Sequence, residues 1–358
     1  MIRLVHIITS FDIGGAEQFV LDLCRRLDRK RFDVSVIAVV RGGPLRSEFH
    51  DAGIPTEVIG KTTRLGLDTI RHLTALLRSP RPDIVHTSLF GGDTWGRIAA
   101  VRAGVKTIMT TEQNTNLDEG FVKRFVKRRL AARTKRVVAI SDAVRSYSIL
   151  VDRIPRDKVI VIPNGVDLTV FRPGARAAHH GIQFMTVGRL VPQKGHDGLI
   201  DAFAMLRDVL PHAALTIVGD GPLRHALEAQ VHAYHLEDRI LFQGFRRDRL
   251  EAYHQADIAV FPSRWEGLCI AALEASACGL PVIGTAVGGL QEAVIDQETG
   301  IIVPTGDVGL LAAAMRDLAE DRPRQLLFGH AGRRHVERKF DINRVVARYE
   351  ELYESLLV

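Results

Sequence analysis

The sequence predicts an α/β protein of two doubly wound domains, each a parallel sheet covered by helices on both faces. Short β-branched runs recur along the whole chain, with amphipathic segments of helical spacing between them. The runs are apolar almost throughout, as strands covered on both faces must be. With 358 residues the chain can build two cores, and the runs fall into two series across PNGVDLTVFRPGARAAHHG (163–181).

Taken in order, RLVHIIT (3–9) opens the first series and feeds a glycine turn into a helical segment near 16–27. DVSVIAVV (33–40) and TEVIG (56–60) come next, ahead of a periodic segment near 67–78. DIVHTS (83–88), KTIMTT (106–111), RVVAIS (136–141) and KVIVIP (158–163) complete it, with helical segments near 94–103 and 119–132. The second series is IQFMTVG (182–188), ALTIVGD (214–220), RILFQG (239–244), DIAVFPS (257–263), LPVIG (280–284) and GIIVP (300–304). The domains are therefore expected at 1–165 and 166–340. In open α/β sheets ligands bind beyond the carboxyl ends of the strands, and every motif below falls at such an end.

Composition narrows the function. Hydrophobic residues at 46% and charged residues at 25% fit a globular protein and exclude a disordered one. Cys24, Cys269 and Cys278 form no CxxC pair, which points to a reducing compartment and away from structural zinc. The N-terminal apolar run lacks the length and cleavage site of a signal peptide, and no stretch nears the ~18 apolar residues of a membrane span. A cytoplasmic protein is expected. Charge is uneven: Met1–Gly165 carries 28 Lys+Arg against 17 Asp+Glu, a balance of +11, and the remainder 20 against 25, or −5. So basic a half suggests a polyanionic partner: nucleic acid, an anionic membrane or an acidic substrate.

Five motifs carry chemistry. In SFDIGGAEQF (10–19), Gly14 and Gly15 let backbone N–H groups approach a phosphate at a helix N-terminus, or simply link strand to helix. In VGRLVPQKGHDGLIDAF (187–203), Arg189 and Lys194 flank a tight loop ahead of a helix, a fork and a point charge suited to a diphosphate. Two solvated loop cations would look the same, and the spacing is not that of a P-loop. IVGDGPLRHALE (217–228) and VIPNGVDLTVF (161–171) read as a strand-to-helix turn and an inter-domain hinge. EGLCIAALE (266–274) puts an acid at each end of an apolar run, with Glu274 expected about two turns inside a helix. At ~1.5 Å per residue the acids would stand ~12 Å apart, beyond the roughly 5–9.5 Å of a glycosidase pair and better suited to two ends of one ligand. No Asp-x-Asp, HExxH or spaced Cys/His cluster occurs, so no metal site is expected.

Together, GGAE, PNGVD, GRLVPQKG, GDGP and PSRWEGLCIAALEASACGLPVIGTAVGG resemble glycosyltransferase family 4, over essentially the whole chain. The resemblance implies a GT-B architecture: two Rossmann-like domains facing a central cleft, the first binding acceptor and the second the nucleotide sugar. It implies that the last helix (341–358) packs back on the first domain. It implies a retaining transfer of a hexose or related sugar from a nucleotide-diphosphate donor, UDP-sugar preferred, to a glycan or lipid-linked acceptor, with no metal or other cofactor. Arg189 and Lys194 would hold the diphosphate, Glu266 the sugar hydroxyls and Glu274 the ribose. Gly15, Gly188, Gly244, Phe245, Gly267, Leu268 and Cys269 would line the donor. His86, Glu112 and Gln113 are candidates on the acceptor side. The chain departs from the family pattern at EGLC, where EGFG is common, and at TTEQN (110–114), where Gln113 stands in place of a histidine. Gln113 cannot serve as a base near neutral pH. A reaction in which the leaving phosphate takes the acceptor proton on the same face needs none.

GFVKRFVKRRLAARTKR (120–136) carries eight cations beside Phe121, Val122, Phe125, Val126 and Leu130 at helical spacing. That pattern fits a surface helix packed on the sheet. It equally fits docking to anionic lipid through Lys123, Arg124, Lys127 and Arg128, and hence a peripheral place on the inner face of a membrane. Three alternatives remain open: a nucleotide-sugar epimerase of similar fold, a sugar-nucleotide-binding protein without turnover, and nucleic-acid binding. The last lacks both an aromatic-rich RNP strand and a zinc finger, so nucleic acid is not an expected partner.

Overall fold

β1 (Ile2–Ser10) lies inside a seven-stranded, all-parallel sheet that includes β2 (Phe32–Arg41), β3 (Thr56–Val58), β4 (Ile84–Ser88), β5 (Thr107–Glu112), β6 (Arg136–Ala139) and β7 (Val159–Val161). The strand order is β3-β2-β1-β4-β5-β6-β7, so it reverses between β1 and β4. The structure is a computed structural model that describes residues 1–61, 66–115, 120–174 and 180–357, with the main chain alone at 90, 121 and 122. The linker expected across 163–181 therefore falls partly outside the described residues.

Helices α1 (Gly15–Arg26), α2 (Leu45–Asp51), α3 (Leu67–Leu76), α4 (Phe90–Ala103), α5 (Phe121–Ala131) and α6 (Asp142–Leu150) connect these strands. Ser141 starts α6 by accepting the Val144 N–H at 3.1 Å, which satisfies one of the donors a helix start leaves open. β4 and β5 are buried at every residue, as the continuous apolar runs require.

The second sheet contains β8 (Gln183–Val187), β9 (Ala214–Val218), β10 (Ile240–Gly244), β11 (Ile258–Phe261), β12 (Val282–Thr285) and β13 (Gly300–Val303). It too is all parallel, in the order β10-β9-β8-β11-β12-β13, and reverses between β8 and β11. Its helices are α7 (His196–Ala204), α8 (Arg224–Ala233), α9 (Leu250–His254), α10 (Ile270–Ala277), α11 (Leu290–Ala293), α12 (Val308–Glu320) and α13 (Arg322–Lys339). Phe184, Leu199, Phe203, Ile217, Ile258 and Met315 anchor its core.

The chain ends in α14 (Ile342–Ser355), and contacts divide the molecule into Met1–Gly165 with Ile342–Val358 and Val166–Asp341. α14 belongs to the first unit because Ile342, Val345, Val346, Tyr349 and Tyr353 are buried in that unit's core. Burying each is worth roughly 1.5–3 kcal/mol. Arg31 adds ion pairs to Glu350 at 2.9 Å and Glu354 at 2.5 Å, on a surface where such pairs contribute little.

Candidate active site

The loops after β8 and β11 leave the second sheet where its strand order reverses, which opens a crevice at the carboxyl ends of neighbouring strands. The first loop carries Gly188, Arg189 and a turn at Pro192–Lys194, and the second carries Ser263 to Gly267. They are laced together by one main-chain and one side-chain bond: the Arg264 N–H donates to the Gln193 carbonyl at 2.8 Å, and the Gln193 side-chain Nε2 to the Trp265 carbonyl at 3.0 Å. Gly195 closes the first loop with φ +64°, and a Cβ there would stand 2.2 Å from the Pro262 oxygen. No residue but glycine fits that approach.

This lacing brings Lys194 to Glu266. Lys194 Nζ lies 2.5 Å from Glu266 Oε1, and Ser263 Oγ donates to the same oxygen at 2.7 Å. Glu266 is buried, yet its Oε2 makes no hydrogen bond among the described residues. Burial alone would lower the Lys194 pKa, but the Glu266 charge and its hydrogen bond outweigh it and hold the ammonium above the ordinary lysine value. Arg189 is exposed and makes no ion pair among the described residues, while its charge bears on Lys194. His196, at the start of α7, is lowered to about 4 by burial and by Lys194, so it is neutral near pH 7. Two cations, a helix start and one anchored carboxylate with a free oxygen can hold a ligand that joins an anionic group to a hydroxylated one.

Glu274 stands elsewhere than the helical spacing suggested. α10 begins at Ile270, so Glu274 is just over one turn inside it and Glu266 lies outside the helix altogether. The helix rise therefore does not set the separation of the two acids. Glu274 is buried and accepts from Arg249 Nη2 at 2.7 Å, Arg249 Nε at 3.2 Å and the Tyr253 hydroxyl at 2.7 Å. Its charge is the main reason the Arg249 pKa is raised.

The remaining donor-side candidates divide between main chain and side chain. Leu268 and Cys269 are buried, and burial pushes the Cys269 thiol up to about 12, so neither side chain can present a group to a polar ligand. Gly267 packs so closely on Gly289 that a Cβ at Gly289 would meet the Gly267 oxygen at 2.0 Å. Gly244 ends β10 at φ +69° and is followed by an exposed Phe245. In the first unit Gly15 is the exposed first residue of α1.

On the acceptor side the structure corrects two expectations. His86 is 1% exposed, and both ring nitrogens are engaged, Nδ1 by the Tyr353 hydroxyl at 2.8 Å and Nε2 by Thr111 Oγ1 at 2.7 Å. It cannot reach a substrate; it is part of the core beneath α14. Glu112 is also turned inward, with Oε2 3.0 Å from Lys127 Nζ. Gln113 is half-buried and accepts from Asn164 Nδ2 at 2.8 Å, so of the three it alone retains partial exposure.

Lys127 corrects a third expectation. It is 3% exposed and sits between Glu112 and Asp152, 2.9 Å from the latter, so its ammonium is turned inward and is not presented at the surface. Arg124 is half-buried, with Nη2 3.3 Å from the Tyr147 hydroxyl. Lys123 and Arg128 are exposed, as is Phe125, while Phe121 and Val122 lie outside the described side chains. Among the described residues no cluster of His, Cys, Asp or Glu could hold a metal ion, and no helix is long and apolar enough to cross a membrane.

The pattern described as Glycosyltransferase Family 4 matches residues 13–170, and that described as Glycosyl transferases group 1 matches residues 171–335. A GDP-mannose-dependent alpha-(1-6)-phosphatidylinositol monomannoside mannosyltransferase of Mycolicibacterium smegmatis is 32% identical over 76% of this chain and 80% of its own length. The chain belongs to glycosyltransferase family 4. Another relative of this glycosyltransferase is a UDP-Gal:alpha-D-GlcNAc-diphosphoundecaprenol alpha-1,3-galactosyltransferase of Escherichia coli, 26% identical over 100% of this chain and 98% of the relative. Anabaena HepE, solved in complex with UDP-glucose, shares its fold with a TM-score of 0.89 at 22% identity, over 99% of this chain and 100% of that one. The architecture is thus GT-B. Arg249 and Tyr253, which hold Glu274, fall outside all five motifs, whereas Ser263, which anchors Glu266, falls inside PSRWEGLC.

Proposed function

We propose that this glycosyltransferase moves a hexose, with retention at the anomeric carbon, from a nucleotide-diphosphate sugar to a lipid-linked acceptor, without a metal. The observation that carries the reading is the Lys194–Glu266 pair at the strand-order reversal of the second sheet. Lys194 and Arg189 would neutralise the diphosphate and stabilise its charge as the sugar departs, the largest kind of term a fixed site can contribute. Glu266, anchored through Oε1 by Lys194 and Ser263, would accept sugar hydroxyls at Oε2. Main-chain N–H groups of Gly267, Leu268 and Cys269 lie just ahead of α10, whose first N–H groups have no intrahelical partner. Glu274 would meet the ribose, Gly244 and Phe245 the base, and Gly15 and Gly188 the diphosphate. Gln113 would contact the acceptor as a hydrogen-bonding group rather than a base. A UDP donor is favoured because the Escherichia coli relative is named for UDP-Gal and HepE was solved with UDP-glucose.

We further place a peripheral membrane contact on Lys123, Arg128 and Phe125 of α5, because the mannosyltransferase and galactosyltransferase relatives are named for lipid-borne acceptors. The test is transfer from UDP-galactose, UDP-glucose and GDP-mannose to diphosphoundecaprenol-linked GlcNAc, with the product anomer read by NMR and a parallel arm in EDTA. Lys194→Ala and Glu266→Gln should each lower kcat by roughly 10²–10³. Turnover of the donor without an acceptor, an inverted product, or full activity in Lys194→Ala would refute the reading.

A further inference from the structure

The two cations of the loop after β8 stand in different states. Arg189 is exposed and makes no ion pair among the described residues, so it can meet an anion directly. Lys194 is already engaged. Its stem lies against Gly188, where a Cβ would stand 3.4 Å from two of its methylene carbons, and its ammonium lies 2.5 Å from Glu266 Oε1. Glu266 is held from behind and cannot follow a ligand outward. It is 4% exposed, Ser263 Oγ donates to the same Oε1 at 2.7 Å, and Thr285 Oγ1 donates to the Ser263 carbonyl at 2.5 Å. An ammonium has three donors; Glu266 takes one, and the other two find no partner among the described residues. A phosphate that took one of these would share the ammonium with the carboxylate. Two acceptors on neighbouring hydrogens of one ammonium stand roughly 4 Å apart, close enough for like charges in a half-buried site to repel strongly.

On the reading of Lys194 as a diphosphate contact, we propose that Glu266 is also a built-in competitor for that anion, which lowers the affinity for a nucleoside diphosphate relative to the nucleotide sugar. Without a sugar, the carboxylate draws on the Lys194 charge and repels the phosphate. With one, a sugar hydroxyl donates to the carboxylate, and that hydrogen bond offsets the repulsion. No bond or proton is exchanged. Once the sugar has left, the same carboxylate works against retention of the nucleoside diphosphate and favours its release. Arg189, with no acid on it, carries no such penalty. A purely structural ion pair would steady the loop and leave the two affinities in a fixed ratio.

The experiment is calorimetric binding of UDP, UDP-glucose, UDP-galactose, GDP and GDP-mannose to the full-length protein. Parent, Glu266→Gln, Lys194→Ala and the double variant are compared, each checked for folding by thermal melting. Glu266→Gln removes the charge and keeps an acceptor for Ser263. It should tighten binding of the nucleoside diphosphate roughly tenfold and leave the matching nucleotide sugar unchanged or weaker. In the Lys194→Ala background that gain should shrink to roughly threefold or less, because the contested cation is gone. Glu266→Asp draws the carboxylate back from Lys194 by one methylene, and should move the ratio of the two affinities in the same direction should Glu266→Gln fail to fold. Unchanged or weaker diphosphate binding in the folded variant overturns the competition. So does an equal tightening of both ligands, or a gain that survives undiminished without Lys194. If Lys194→Ala leaves all five ligands at the parent affinity, the diphosphate contact itself fails, and the competition with it.

Discussion

Lys127→Met isolates the buried charge cluster that ties α5 to the first sheet. Lys127 Nζ lies 3.0 Å from Glu112 and 2.9 Å from Asp152, and all three side chains are at most 9% exposed. Methionine keeps the unbranched stem and removes the charge, leaving two carboxyl groups buried with no cation between them. Breaking a buried pair in this way costs about 3–5 kcal/mol. In a unit of this size, each kcal/mol moves the midpoint by about 2–4 °C, so the first unit should melt about 6–20 °C lower. The deficit must depend on pH in a definite direction. Burial, reinforced by Asp93, raises the Glu112 pKa even against the lowering effect of Lys127. An acid raised in the folded state contributes stability that is full below its unfolded value of about 4.3 and is lost as pH rises through the folded value. Removing Lys127 raises Glu112 further, so the variant's deficit should widen from pH 5 to pH 8. Adding Glu112→Gln should recover part of it. Urea unfolding of parent, single and double variants across that range is the assay. A loss below about 1 kcal/mol, or one that widens toward acid, would refute the reasoning.

Other perturbations test other parts of the structure. Gly195→Ala forces a side chain into positive φ and against the Pro262 carbonyl, so it should cost roughly 1–3 kcal/mol and weaken UDP binding together, as thermal shift with and without UDP will show. Burial lowers His6 to about 3 and, with Lys194, His196 to about 4, so both are neutral in the fold. A base depressed in the folded state gives stability that is present above its unfolded value near 6.5 and lost as pH falls toward the folded one. Each should therefore contribute a slope of about 1.4 kcal/mol per pH unit below 6.5, which His6→Asn and His196→Asn should remove in urea titrations. Neutralising Lys123 and Arg128 to Gln should reduce binding to phosphatidylserine vesicles by about fivefold per residue, at roughly 1 kcal/mol each; unchanged binding would remove α5 from any membrane contact.

The parallel sheets were legible because β4, β5 and β11 are buried at every residue, and a strand covered on both faces must be written as an almost unbroken apolar run. α2 and α6 were not. α2 has only seven residues, too few to show a period, and α6 is announced by the Ser141 cap rather than by its apolar spacing. The inward turn of Lys127 was hidden for a related reason. Periodicity assigns positions to faces of a helix, but it puts Lys127 on the cationic face among Lys123, Arg124 and Arg128, and its partners Glu112 and Asp152 are separated from Lys127 in sequence. Nothing local distinguishes the one lysine that finds two carboxylates from its solvated neighbours.

The polar cluster after β8 and β11 shows where such reading gains and loses its hold. Lys194 and Glu266 could be paired as candidates because each sits in a strand-end loop, where a parallel fold collects its ligand groups. Arg249 sits in a run of basic residues after β10, indistinguishable by type from Arg246 and Arg247. Only the packing of α9 against α10 selects it, by placing Arg249 and Tyr253 on the same buried carboxylate. Motifs therefore locate the candidate groups, whereas the groups that hold those side chains in place are chosen by tertiary contact.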